Sequence, residues 1–134
     1  MSSDFCAFIL THGRAGSVLT HNTLRAHGYT GPIKFIIDDM DSQGDDYRRE
    51  YGAENVIMFN KKEEAKRTDS FDNFGKFGTI TYARNACFTI AESLGIKYFI
   101  ELDDDYVFFG YRFERRGRLL ERRIKDLSRV FMEM

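Results

Sequence analysis

"YARNACFTIAESLGIKYFIELDDDY", residues 82–106, decides how the chain is read. Its first part is a helix. Ile80, Ala83, Ala86, Cys87, Ile90, Ala91 and Leu94 recur at the three-to-four spacing of one helical face. Thr79 stands where a helix is capped and Gly95 where it stops. "KYFIEL" is then an apolar run of strand length, and three aspartates follow it without a break. Adjacent carboxylates repel each other and need water or a counter-charge. Asp103, Asp104 and Asp105 are therefore expected to hold something.

Upstream the same alternation repeats. "FCAFIL" (residues 5–10) is a strand, broken by "THGRAG". "SVLTHNTLRAHG" is a helix with Ser17 as N-cap and Gly28 as stop. "PIKFIID" (32–38) is a second strand, "DDYRREYG" a short polar helix ending at Gly52, and "NVIMFN" (55–60) a third strand. "KKEEAKRTDSFDNFGKFG" (61–78) is polar with scattered Phe and Gly and is expected to be a surface loop, of a length that is usually functional. Downstream, "YVFFGYRFERRGRLLERRIK" predicts a hairpin turning near Arg116-Gly117 with one buried aromatic face, and "DLSRVFMEM" a helix capped by Asp126. Strand and helix alternating in this way predict an α/β fold. Its Rossmann-like, mostly parallel sheet carries helices on both faces, and a β-hairpin and a C-terminal helix follow. The expected organisation is one nucleotide-binding domain, with a core over 1–105 and the hairpin and helix over 106–134.

Composition agrees with a globular protein: 134 residues, 43% hydrophobic, 31% charged, one Pro and no Trp. Its apolar runs are too short to span a bilayer. "MSSDFCAFIL" lacks a basic n-region and a cleavage-type site, so no secretory leader is expected. Cys6 and Cys87 sit among apolar neighbours and read as buried, reduced thiols, which suggests a cytoplasmic setting. The net charge of −1 hides an asymmetry: residues 112–129 hold eight basic and three acidic side chains, hence +5, leaving −6 for the rest. A basic stretch can face a polyanion, and a solvated hairpin is the plainer expectation.

The polar motifs fall at strand ends. Thr11, His12, Gly13 and Arg14 follow the first strand; Asp38, Asp39 and Asp41 the second; Asp103, Asp104 and Asp105 the fourth. A parallel sheet brings strand C-termini to one edge, where such folds bind ligands. The helices that follow begin at that edge and offer N–H groups to phosphate, with Arg14 and Arg84 beside them. Carboxylates favour Mg²⁺ or Mn²⁺. On an extended segment Asp103 and Asp105 point one way and Asp104 the other. A nucleotide diphosphate with a divalent cation suits this edge. "DMDSQGDDYRRE" (39–50) approaches a calcium loop in its ligand spacing, but Asp46 stands at its apolar position and a strand precedes it. "THGRAG" lacks the Gly-Lys-Ser/Thr ending of a P-loop. His12 could touch a phosphate; His21 and His27, six apart on one helix, cannot share a metal and are expected at or near the surface.

"FILTHGRAGSVLTHNTLRAHGYTGPIKFIIDD" together with "ARNACFTIAESLGIKYFIELDDDY" resembles the donor-binding half of a GT-A-fold glycosyltransferase, with Asp103-x-Asp105 similar to that superfamily's DxD motif. More narrowly the chain resembles the phage and bacterial glycosyltransferases associated with TET-like base oxygenases, thought to place sugars on hydroxymethylated bases in DNA. The resemblance implies a nucleotide-activated sugar donor, most simply a UDP-sugar. It places Thr11, His12, Gly13 and Arg14 around the nucleotide and Asp38 or Asp39 at the base or ribose. It places Arg84 near the pyrophosphate, Asp103 and Asp104 at the donor, and Asp103 and Asp105 on the metal. No catalytic base can be named, and the chain stops at "SRVFMEM", where that superfamily continues into an acceptor half, so truncation is an expectation. Two other functions are weighed: a nucleotidyltransferase making nucleotide sugars, whose "GxGxR"-type loop "THGRAG" half matches, and a non-catalytic nucleotide-binding fragment. A second copy of the chain is a further candidate partner.

Overall fold

Four strands form one parallel sheet: β1 (Phe5–Leu10), β2 (Ile33–Asp38), β3 (Val56–Phe59) and β4 (Tyr98–Asp103), in the order β3-β2-β1-β4. The computed structural model describes residues 4–67 and 80–134. Ala7 pairs with Ile33 and Leu10 with Ile36; on the other side Phe5 pairs with Tyr98 and Leu10 with Asp103. Strand order reverses direction at β1, between β2 and β4, which makes the C-terminal end of β1 the switch point.

The pleat sorts the side chains of β1 into two cores. Ala7 and Ile9 join Phe35, Ile37 and Leu102 on one face, covered by α1 (Leu19–Ala26), α2 (Gly44–Tyr51) and α5 (Leu127–Met132). Cys6, Phe8 and Leu10 join Ile36 on the other, covered by α4 (Ile80–Leu94) through Ala86, Cys87, Ile90 and Ala91. Near-continuous apolar strands are what a sheet buried on both faces requires. The predicted α/β architecture with helices on both faces is therefore the observed one.

Several local expectations change. Ser17 does not cap α1: the N-cap is Val18, without a side-chain bond, and the Ser17 N–H closes a turn on the Arg14 carbonyl. Residues 61–67 are not loop but helix α3 (Lys61–Arg67), begun where Asp39 Oδ1 accepts the Lys61 N–H at 3.0 Å. Asn60 is the N-cap of α3, with Oδ1 accepting the Glu63 N–H at 3.0 Å, a local signal hidden by reading Asn60 as the end of the third strand. The rest of the expected loop, and Thr79, lie outside the described residues. Leu94 is exposed despite its helical register, and His27 is buried, bonding the Ile124 carbonyl through Nδ1 at 2.9 Å.

The hairpin forms as predicted, β5 (Gly110–Arg115) against β6 (Arg118–Arg123), turning on Arg116 and Gly117 with φ of 53° and 74°. Two successive positive φ angles define a type I′ turn, which matches the twist of the strands. Its aromatic face is not buried: every residue of both strands is exposed. Tyr106 and Phe109, just before β5, pack on the core in its stead. Asp126 caps α5 as expected, accepting the Arg129 N–H.

Candidate functional site at the carboxyl edge of the sheet

The carboxyl ends of β1, β2 and β4 enclose a cavity of about 400 Å³. Leu10, Ile36, Phe59 and Ala83 supply its apolar wall; Thr11, His12, Arg14, Asp38, Lys61 and Asp103–Asp105 supply the polar one. The polar residues come from four separate stretches of sequence and meet here because each stretch lies at the carboxyl end of a strand of one parallel sheet. The volume falls in the range of small-ligand sites.

One end is built on Asp38. This buried carboxylate accepts the Met40 N–H on Oδ1 and His12 Nδ1 on Oδ2, at 2.9 and 2.8 Å, and Lys61 Nζ lies 3.8 Å away. A carboxylate can only accept, so His12 carries its proton on Nδ1. Asp39 turns elsewhere: it accepts the Lys61 N–H at the start of α3 and does not line the cavity. Asp41, also buried, receives the Gly13 N–H at 2.9 Å and so fixes the loop after β1. Gln43 clamps the same loop, accepting from the Ala15 N–H and donating to the Gly13 carbonyl, both at 2.9 Å.

The other end is the aspartate triplet. After Asp103 the strand gives way to a turn, so the alternation expected of an extended segment fails and all three carboxylates line the cavity. Their surroundings differ. Asp104 is largely buried, taking Thr11 Oγ1 at 2.8 Å and Arg14 Nη1 at 3.2 Å. Asp103 pairs with Arg84 Nη2 at 3.1 Å. Asp105 is exposed and has no hydrogen bond or ion pair among the described residues. Arg84 does not itself line the cavity; it stands behind Asp103, with Nη1 3.6 Å from Glu101 Oε2. Burial pushes the Glu101 carboxyl above its usual range, against the opposing pull of Arg84. The Cys87 thiol lies close enough to act on it electrostatically, yet among the described residues no hydrogen bond of proper geometry reaches buried Oε1.

The N-terminal turn of α1 is already engaged. The Thr20 N–H donates to the Asp104 carbonyl, Thr20 Oγ1 donates to the Asp103 carbonyl and accepts the Tyr106 N–H. This turn positions the aspartate rim and does not offer these groups to phosphate. Tyr47 plays the matching role beneath the β1 loop. Its buried hydroxyl bonds Thr11 Oγ1 at 3.0 Å and accepts the Arg14 N–H at 2.9 Å. Burial raises its pKa, partly offset by these bonds, so it stays protonated.

Tyr47, Lys61, Gln43 and Glu101 belong to the site and carry no motif. Lys61 could have been found by the rule used for the others, since it follows β3 by two residues. Tyr47 and Tyr51 share a helical face at i, i+4, which marks a buried stripe but not a loop anchor.

Among the described residues no three His, Cys, Asp or Glu side chains form a ready-made metal cage. Asp105 with neighbouring Asp103 offers hard oxygen donors, one of them uncommitted. That donor set fits Mg²⁺ or Mn²⁺ completing its shell with water and phosphate oxygens. Searches of curated proteins and of solved structures return no match. The family model described as TET-Associated Glycosyltransferase matches residues 5–134, from the first residue of β1 through α5. With that match spanning both the sheet edge and the hairpin, the chain belongs to the TET-associated glycosyltransferase family and is a glycosyltransferase.

Proposed function

We propose that the cavity binds a nucleotide-activated sugar, a UDP-sugar, with Mg²⁺ or Mn²⁺ at Asp105 and Asp103, and that the sugar passes to an acceptor hydroxyl on a modified base in DNA. The observation that carries this reading is the meeting of Asp38, Lys61, Arg14 and the aspartate triplet around one cavity of about 400 Å³. Each end suits a different part of such a donor. The Asp38–His12–Lys61 end, beside Phe59 and Ile36, offers donors and acceptors to a base or ribose. The triplet suits the diphosphate through a cation, since Asp103 and Asp104 are already paired with arginines and Asp105 is the carboxylate without a partner among the described residues. A bound cation would supply charge neutralisation as the diphosphate departs. Arg14 is held near that end by Asp104, and Arg84 keeps Asp103 in place. Thr11, Gly13 and Tyr47 fix the loop against which the nucleotide lies.

Calorimetry with UDP and Mn²⁺, followed by UDP-sugar turnover on a hydroxymethyl-bearing oligonucleotide, tests the reading. Cation-dependent UDP binding and a hexose-sized mass gain on the oligonucleotide are expected. Binding of UDP without any cation requirement would remove the metal from the scheme, and no binding of any nucleotide would defeat the whole reading.

A further inference from the structure

We infer that one face of the β5–β6 hairpin is a platform for an unpaired stretch of nucleic acid. Directly opposed residues of an antiparallel pair share a face, and so do alternate residues along each strand. The pairs Tyr111–Arg122, Phe113–Leu120 and Arg115–Arg118 therefore lie together. That face holds three arginines, two aromatic rings, one leucine and no carboxylate. The intervening pairs, Gly110–Arg123, Arg112–Glu121 and Glu114–Leu119, form the other face. There two arginines balance two glutamates, and Arg112 pairs with Glu121 at 3.8 Å. The hairpin is thus cationic and aromatic on one side and neutral on the other.

Solvation alone does not call for this segregation. A hairpin that only needs to stay soluble gains nothing from rings left in water: Tyr111 is 49% exposed, Phe113 37% and Leu120 36%. Arginines with no hydrogen-bond or ion-pair partner among the described residues, beside exposed rings, match a polyanion that also has π-faces. Guanidinium groups take phosphates, and rings stack on bases. An acidic peptide would satisfy the charges and leave the rings, and a duplex keeps its base faces hidden. From Asp105 to Gly110 the chain runs five residues, so the hairpin starts within about 18 Å of the cavity rim. The inference deepens the DNA acceptor proposed above and rests on it for its purpose, although binding is measured without turnover.

The test is fluorescence anisotropy of the full chain with a labelled oligothymidine of about 15 nucleotides, its duplex, and heparin as a competitor. Two charge-matched variants are compared, Arg115→Ser/Arg122→Ser on the proposed face and Arg112→Ser/Arg123→Ser on the other. The first is expected to weaken single-strand binding about tenfold and to reduce the log–log salt slope by about 1.4; the second is expected to do much less. Tyr111→Thr/Phe113→Thr keeps the charge and strand propensity, and is expected to weaken single-strand binding at least about fivefold while leaving heparin affinity alone. Equal losses from the two arginine pairs, or a duplex bound as tightly as the single strand, would overturn the inference. So would a dimer that dissociates on Phe113→Thr in a chain that binds no oligonucleotide. A chain that binds single strands through this face yet transfers no sugar to them would support the platform and defeat the acceptor reading instead.

Discussion

The three adjacent aspartates stand in three different surroundings, and substitution separates two of them. Asp104 is a structural tie: its two oxygens join the β1 loop, through Thr11 and Arg14, to the end of β4. Asp104→Ala leaves the Thr11 hydroxyl and Arg14 without their shared acceptor, and is expected to cost about 1–3 kcal/mol of stability. Asp105 is exposed and unpaired among the described residues. Asp105→Ala is expected to change stability by less than about 0.5 kcal/mol while weakening cation-dependent UDP binding at least tenfold. Urea unfolding and calorimetry on the two variants read both quantities, and an exchange of the two phenotypes would refute the assignment. Tyr47→Phe isolates the loop anchor. It removes one hydroxyl from a fully buried site, leaves the Arg14 N–H without its acceptor, and is expected to cost about 1–2 kcal/mol. Loss of donor affinity without loss of cation affinity would accompany it.

At the scale of elements, α1 shows how packing sets titration. His21 leans on Phe35 and Tyr51, whose rings stack 4.0 Å apart, with centroid distances of 5.5 and 5.4 Å. Burial, then the Arg25 charge, holds its pKa below the ordinary 6.5, with smaller opposing pulls from Asn22 and Glu50. The unfolded chain therefore takes up this proton first as pH falls through about 6.5. The stability contributed by neutral His21 is whole above that pH and is lost as pH falls towards the folded value. His21→Phe should keep the stack and lose this part of the acid sensitivity, as compared by urea midpoints near pH 7.5 and pH 5. The elements themselves were legible wherever sequence carries its own period: β1, β2, β4, α4 and the hairpin turn all follow from local pattern. Much of what escaped depends on distant partners. Asp39 adds an acceptor for the Lys61 N–H to the local Asn60 cap of α3, and Thr20 of α1 is tied to the Asp103–Tyr106 backbone. The site shows the same division. Aspartates at strand ends announce themselves, whereas Tyr47 and Glu101 acquire their roles only from what they pack against.

Across the whole molecule, the C-terminal segment is latched to the sheet by a few close approaches far apart in sequence. His27 sits at the centre: its carbonyl accepts the Leu127 N–H at 2.9 Å, and its ring bonds the Ile124 carbonyl. Ser128 Oγ accepts the Thr30 N–H at 2.8 Å, and Leu127 and Phe131 complete the core over α1. The hairpin between β4 and this latch is exposed on every residue, and a two-stranded ribbon without cover is marginal alone. Its amides are expected to exchange with deuterium well ahead of those in β1, which is central and buried. Gly28 decides whether the latch closes. Its φ of 89° is open to glycine and strained for other residues, and a Cβ there would overlap the Lys125 carbonyl. Neither partner is a side chain that can swing aside, since one is the α1 stop and the other is backbone. Gly28→Ala is therefore expected to cost about 2–4 kcal/mol, with the loss concentrated in residues 124–132. Gly13→Ala is the control, because its φ of 66° carries the same kind of strain but a Cβ there meets nothing within 4 Å. If deuterium exchange found the two variants equally loosened around α5, backbone strain alone would explain the effect and the latch would have to be abandoned.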